Sequence, residues 1–372
     1  MTTTAPTTRY RAAIIGTGRP RGQEGASGAA ISQFHVKAYL SNNCEVAALA
    51  DIRPENAEAF REQHGVPDAR IFADYKQMLA EVKPDIVSIC TWPHLHAEMV
   101  IACAEAGIRA VHSEKPMAPT FGEARRMHET CVARGTQLTL NHQRRFETLY
   151  TTTKRLIAEG TVGKLVQLQA AAQNLYDWGT HWFDMLNFYN DDEPIEWVLG
   201  QIDSRTEHGV FGVRMENQGI SNFGYRNGVR GLLITGDAVP GSKGGPTGRA
   251  YYMGATHRVI GTEGVIEVGG PDSKLRLLNA TTGGFQEVPL DAGPADITEA
   301  VAAAIGNALE CLGSGERPRL SSYNAIRATE LIFATYESSR RRARIDLPLQ
   351  IEDNPLHAML DAGLVGPGRK AE

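Results

Sequence analysis

Through the first 140 residues, short apolar runs alternate with longer stretches whose apolar positions fall three or four apart. The runs are 10–15, 46–50, 86–90, 108–112 and 137–140, rich in Val, Ile and Ala. Continuous apolarity over so few residues fits strands buried on both faces. The wider spacing of 57–64, 75–82, 96–106 and 121–133 fits helices with one face on a core. Gly65, Gly107 and Gly135 follow three of these stretches, where a helix end calls for a residue at positive φ. Strands alternating with helices predict a doubly wound parallel sheet, which binds ligands beyond the carboxyl ends of its strands.

From about residue 165 the period changes. Strand-like runs now succeed one another at 165–174, 196–202, 219–225, 231–235, 257–260, 264–268 and 275–278. Asn227-Gly228 is a strong hairpin signal between two of them, and the Thr-Thr-Gly-Gly of 281–284 a weaker one. A large, open, mainly antiparallel sheet follows, with one face on helices and the other free to pair with a second copy. Helices near 297–312 and 322–341 are expected to close this half, and the Gly- and Pro-rich 237–249 to be a mobile loop. The fold class is therefore α/β plus α+β. Residues 1–9 form a disordered tail, 10–143 the parallel-sheet domain, and 144–372 a domain for substrate binding and oligomerisation.

Composition narrows the function classes. The 372 residues carry a formal net charge of -5 without a basic tract, which argues against nucleic acid or an anionic membrane as partner. No apolar stretch is long enough to span a membrane. The opening MTTTAPTTRYR lacks the apolar centre of a signal peptide. Cys44, Cys90, Cys103, Cys131 and Cys311 are odd in number and show no C-x-x-C spacing, which suits a reducing cytoplasm better than disulfides or a zinc site. His94, His96 and His112 invite a metal reading, but their positions imply no converging cluster, and no metal is expected.

The first chemistry lies in "IIGTG". A glycine turn between strand and helix lets backbone N–H groups approach a pyrophosphate. Gly16 and Gly18 meet half of the G-x-G-x-x-G pattern, and the following RPRGQEGASG reads as an insertion. Asp51 ends the second strand, where an acid binds a ribose hydroxyl pair; removing an insertion of roughly 11 residues restores the usual separation of about 20 or slightly more. An acid there favours NAD over NADP, although Arg53 nearby weakens the inference, so NADP stays open.

The segment "ICTWPHLHAEMVIACAEAGIRAVHSEKPMAPTFGEA" resembles the signature region of the glucose-fructose oxidoreductase / inositol dehydrogenase / MocA family. "NHQRRF", "GTEGVIEV" and the final "ARIDLPL" are similar to other parts of that family in the same order. The resemblance covers nearly the whole chain. It implies an NAD(P)-binding Rossmann domain joined to a large-sheet domain, and oxidation or reduction of a hydroxyl on a sugar, glycoside or cyclitol. Two departures stand out: the insertion after Gly18, and Thr91-Trp92-Pro93 where the family commonly has Thr-Pro-Asn.

The resemblance also implies site residues. Lys115 of Glu-Lys-Pro reaches the cleft, where an ammonium would stabilise a developing alkoxide; a structural ion pair is the alternative. Asp177 and His181 match the family's D-x-x-x-H pair and on a helix would share one face. His181 is the expected base and Asp177 its orienting partner, against a cap and a surface imidazole. Gly16, Gly18, Asp51, Arg53, Thr91, Trp92, His96, Glu114 and Lys115 are expected around the cofactor. Trp92 serves equally as a wedge between domains. Tyr176, Trp178, Arg145 and His257 are weaker substrate candidates, with core packing or salt bridges as the other account of them; Arg144 is in the same position as Arg145. A homodimer or homotetramer in the cytoplasm is expected. The competing activity is glycoside cleavage through transient oxidation and elimination on bound NAD.

Overall fold

A computed structural model describes residues 9–19, 31–237, 239 and 254–367. The expected tail, the insertion after Gly18 and the loop at 237–249 lie almost wholly outside the described residues. The chain groups into two compact units: Met1–Ala118, Arg125–Gln143 and Asp296–Ser322 in the first, and Pro119–Ala124, Arg144–Ala295 and Tyr323–Glu372 in the second.

The first unit is built on β1 (Arg11–Ile15), β2 (Glu45–Ala50), β3 (Arg70–Phe72), β4 (Ile86–Ile89), β5 (Ala110–Ser113) and β6 (Gln137–Leu140). They lie in the order β3-β2-β1-β4-β5-β6, and every neighbouring pair is parallel. The order reverses between β1 and β4, the switch point at which such sheets bind ligands. Helices α1 (Ser32–Ser41), α2 (Pro54–His64), α3 (Tyr75–Val82), α4 (Pro93–Glu105) and α5 (Phe121–Arg134) connect the strands. Gly65, Gly107 and Gly135 all take the left-handed φ expected of them, between 65° and 76°.

The second unit adds helices α6 (Thr148–Ala158) and α7 (Gly179–Tyr189) and strands β7 (Leu165–Ala172), β8 (Ile195–Asp203), β9 (Gly209–Val210), β10 (Val213–Arg214), β11 (Gln218–Tyr225), β12 (Arg230–Gly236), β13 (His257–Gly261), β14 (Gly264–Val268), β15 (Leu275–Asn279), β16 (Gln286–Glu287) and β17 (Ile345–Asp346). β9 and β10 pair only with each other. The rest form a sheet ordered β16-β15-β14-β13-β7-β12-β11-β8-β17, antiparallel except where β7 meets β12. Asn227-Gly228 makes the β11–β12 hairpin. Alternation decides the faces: Val198, Ile202 and Phe223 are buried, while their neighbours Leu199 and Ile220 are exposed. The buried face shares one core with Trp182, Phe183 and Leu186 of α7.

Two later helices part company. The longer, spanning Ser322–Arg341, contributes Leu331 and Phe333 to the second unit's core. The earlier one, α8 (Ile297–Ser314), was expected to close the same half; it packs on α1 instead. Val301, Ile305 and Leu309 complete a core with Val36 and Tyr39, and Asn42 Nδ2 donates to the Ala302 carbonyl at 3.0 Å. Periodicity gives a helix an apolar stripe but does not say which core that stripe seeks. Among the described residues no helix is long and apolar enough to cross a membrane.

Candidate active site

β1 delivers the glycine turn. Gly16 stands at φ 88°, and a Cβ on it would meet Thr91 Cγ2 at 2.8 Å and the Cys90 backbone at 3.0 Å. Only glycine lets the ends of β1 and β4 come so close. Gly18, at φ 69°, has open space where a side chain would be. Asp51 lies just past β2. Its Oδ2 accepts from the N–H groups of Thr17 (3.1 Å) and Gly18 (3.0 Å) and from the Thr17 hydroxyl (3.0 Å). Its Oδ1 accepts from the Arg53 N–H at 3.0 Å and from Asn56 Nδ2 at 3.3 Å.

These residues ring a cavity of about 580 Å³ whose lining also includes Thr91, Trp92, Tyr75 and Leu95. Bare glycine backbone, one acid, the basic Arg19 and Arg53 at the rim and largely apolar walls fit a dinucleotide. Gly16 and Gly18 would hold its phosphates and Asp51 a ribose. Trp92, 47% exposed, forms part of the wall. Asn56 and Tyr75 were not foreseen. Pro54 at the first turn of α2 was the available signal for Asn56, since it fixes how soon after Asp51 that helix starts.

Glu114, Lys115 and His96 do not line that cavity. Glu114 is buried at the end of β5, where its Oε1 meets His35 Nε2 at 2.9 Å and accepts from Asn141 Nδ2 at 2.6 Å. The far nitrogen of His35 meets Ser88 Oγ at 2.9 Å, which also contacts the Tyr39 hydroxyl at 2.7 Å. Burial works against the Glu114 carboxylate, yet His35 and Asn141 hold its pKa below the ordinary value. His96 is fully buried, with Nδ1 2.8 Å from the Pro116 carbonyl and Nε2 3.1 Å from the Thr91 carbonyl. Both residues, expected against the cofactor, are placed instead behind the wall. The sequence shows that a polar side chain is present but not which way it turns. Lys115 is half-buried and precedes a cis peptide to Pro116. His112 is fully buried against the Thr139 hydroxyl at 2.8 Å, and burial pushes its pKa down to about 3. Among the described residues no group of three or more His, Cys, Asp or Glu is arranged to hold a metal.

In the second unit, Asp177 lies in the turn before α7, which begins only at Gly179. The expectation of one helix face carrying both Asp177 and His181 is thus corrected. The turn is organised by Asn174, whose Oδ1 accepts from the N–H groups of Asp177 (2.7 Å) and Trp178 (3.1 Å) and whose carbonyl accepts from Gly179 at 2.8 Å. A side chain at 179 would press on that carbonyl at 3.0 Å, so glycine suits the close approach. Beneath the turn the Leu175 N–H donates to Glu216 at 2.5 Å, and the Tyr336 hydroxyl donates to the other Glu216 oxygen at 2.6 Å. Burial raises the Glu216 pKa. Asp177 and His181 are both buried, the imidazole 6.3 Å from the rings of Trp178 and Trp182.

The weaker candidates divide. Tyr176 is buried and Trp178 half-buried beside Asp177. Arg144 lies 4.9 Å over Trp182 and pairs with Glu147. Arg145, only 1% exposed, is placed otherwise than as a substrate contact. Its Nε and Nη2 donate to Asp184 at 2.7 and 2.9 Å, and its Nη1 and Nη2 to Asp192 at 2.9 and 2.6 Å. Two carboxylates take up the guanidinium fork, which makes it a brace for α7. His257 is buried on β13, 3.1 Å from the Tyr189 hydroxyl and edge-on to Trp182 at 4.5 Å.

Residues 10–142 match the GFO_IDH_MocA family of oxidoreductases, NAD-binding Rossmann fold. The chain is 32% identical over 197 residues to an inositol 2-dehydrogenase of Paracoccus denitrificans, a match spanning 49% of this chain and 54% of that protein. It is 24% identical to a D-apiose dehydrogenase of Paraburkholderia graminis, over 98% of this chain and 96% of that one. A levoglucosan dehydrogenase solved with NADH and levoglucosan shares the fold at a TM-score of 0.74 and 19% identity, covering 92% of this chain and all of that one. The six-stranded parallel sheet and its glycine turn accord with these matches, and residues 10–142 are similar to that family's NAD-binding Rossmann fold.

Proposed function

We propose that the protein is an NAD-dependent dehydrogenase acting on a secondary hydroxyl of a sugar, glycoside or cyclitol. The observation that carries this reading is the cavity at the β1–β4 switch point, where Gly16 and Gly18 after β1 meet Asp51 after β2. The names of the relatives, two of them sugar dehydrogenases and one an inositol dehydrogenase, support the substrate class.

Oxidising such an alcohol requires removal of a hydride from carbon and of a proton from oxygen. Bound NAD supplies the hydride acceptor. Lys115 is assigned to the reacting oxygen, where its ammonium stabilises the charge that builds as the proton leaves. His181 is assigned as the base that takes the proton, an imidazole being the side chain suited to that near neutrality. Asp177, held by Asn174, orients substrate or imidazole. The exposed Val166, Leu199 and Ile220 on the open sheet face support self-association, which light scattering after gel filtration would measure.

The test is a panel of hexoses, pentoses, inositols and glycosides incubated with NAD and with NADP. Reduced nicotinamide accumulating with at least one sugar or cyclitol is expected. Release of an aglycone without net reduction would replace this reading with glycoside cleavage.

A further inference from the structure

We propose that His96 is a positioning residue that pins the wall of the cofactor cavity to the turn carrying Lys115. The proposal extends the functional reading and rests on it where Lys115 is concerned. Thr91 lines the cavity, and its methyl is the atom that a Cβ at Gly16 would strike. Its carbonyl faces His96 Nε2 at 3.1 Å. The other ring nitrogen faces the carbonyl of Pro116, the residue after Lys115, at 2.8 Å. One rigid ring thus spans the backbone beyond β4 and the backbone beyond β5. A shift of either turn is felt at the glycine turn and at Lys115 together.

Both partners are carbonyls, which can only accept. A neutral imidazole brings one N–H, so one of the two contacts is a full hydrogen bond and the second needs another proton. The shorter contact assigns the resident proton to Nδ1, directed at Pro116. Burial disfavours the second proton; the Thr91 and Pro116 carbonyls, the Glu114 carboxylate from beyond β5 and the Met117 backbone act in its favour. Thr91 is therefore the looser of the two attachments at neutral pH. Because Thr91 lines the cavity, His96 would carry a displacement of that residue to Pro116.

The experiment compares His96→Phe, which keeps the bulk and removes both nitrogens, with His96→Gln, which keeps an N–H donor. His96→Phe is expected to weaken NAD binding by calorimetry and to lower kcat, each by roughly tenfold to a hundredfold, the scale set by small misplacements of catalytic groups. His96→Gln should recover part of both. Melting temperatures are recorded to confirm that each variant is folded. NAD affinity and kcat both unchanged in folded His96→Phe would sink the proposal. Should that variant not fold, nitrogen-15 NMR of the wild-type histidines decides: the His96 signals should show protonated Nδ1 at neutral pH and shift on adding NAD. An unprotonated Nδ1, or no response to NAD, overturns it. Lys115→Met run in parallel separates the two ideas. Turnover surviving in Lys115→Met removes the role given to Lys115, while the NAD-linked response of His96 stands or falls separately.

Discussion

Asp51 closes on the glycine turn from the neighbouring strand, its Oδ2 lying 3.0 Å from the N–H of Gly18. The same oxygen takes the N–H and hydroxyl of Thr17, so one carboxylate both shapes the turn and stands where a ribose would bind. Asp51→Ala should weaken NAD binding by roughly ten- to a hundredfold, the scale of about 1.5–3 kcal/mol for a hydrogen bond to a charged group. It should weaken NADP binding less, because the acid that repels a 2′-phosphate is gone. Titration of both dinucleotides is the measurement, and an unchanged affinity ratio would count against the role of Asp51.

Lys115→Met and His181→Ala should each lower turnover by about 10²–10⁴-fold, the range for losing a positioned acid or base or an electrostatic stabiliser. NAD binding should survive in both, since neither residue lines the cavity. Stopped-flow reduction of NAD with a substrate found in the panel, beside calorimetry of NAD alone, tests the pair. Lost cofactor binding with unchanged turnover per loaded molecule would refute the assignment.

Acid should unfold the protein in a way that His112 predicts. Burial holds its folded pKa near 3, well below the ordinary 6.5, so the fold favours the neutral ring. The stability that ring contributes is complete above about pH 6.5 and declines as pH falls toward 3. Glu114, whose pKa is also depressed, adds a loss below its ordinary value in the same direction. The His112 contribution is of order 5 kcal/mol in the acid limit, each tenfold change in proton affinity being worth about 1.4 kcal/mol. Urea titrations from about pH 7.5 to about pH 4, which bracket most of that decline, should show this slope, and His112→Leu should flatten it. Equal slopes in the two proteins would exclude His112 as the cause.

Removing one side of the Arg145 brace should be costly. Asp184→Asn leaves a buried guanidinium with half its charge balance, and breaking such a pair costs about 3–5 kcal/mol. The exposed pair of Arg155 with Glu159 provides the contrast, where Glu159→Gln should leave stability nearly unchanged because water and salt screen the pair. Chemical denaturation measures both; similar losses at the two sites would contradict the burial argument.

Elements whose pattern was local were legible in the sequence. The spacing of 75–82 gave α3 to the residue, and 137–140 gave β6. β3 was missed because three residues are too few to show a period, and β17 because two residues borrow their pairing from β8. The glycine turn and Asp51 were readable because each needs a particular residue at a strand end. The roles of Asn174, Glu216 and His35 were not, since their partners lie on other strands, helices or turns and only the fold brings them together. Asp177 shows the limit from the other side: its spacing to His181 was visible, but the helix boundary between them depends on the turn that Asn174, three residues before Asp177, organises.

The return of α8 to the first unit bears on how the protein comes into being during synthesis. A ribosome that has made β6 has released the whole parallel sheet, yet Val36 and Tyr39 on α1 still face water until more than a hundred and fifty further residues emerge and α8 arrives. A fragment cut after residue 143 would therefore be left with an oily flank, and the nascent chain needs shelter for the same flank while the second unit is being translated.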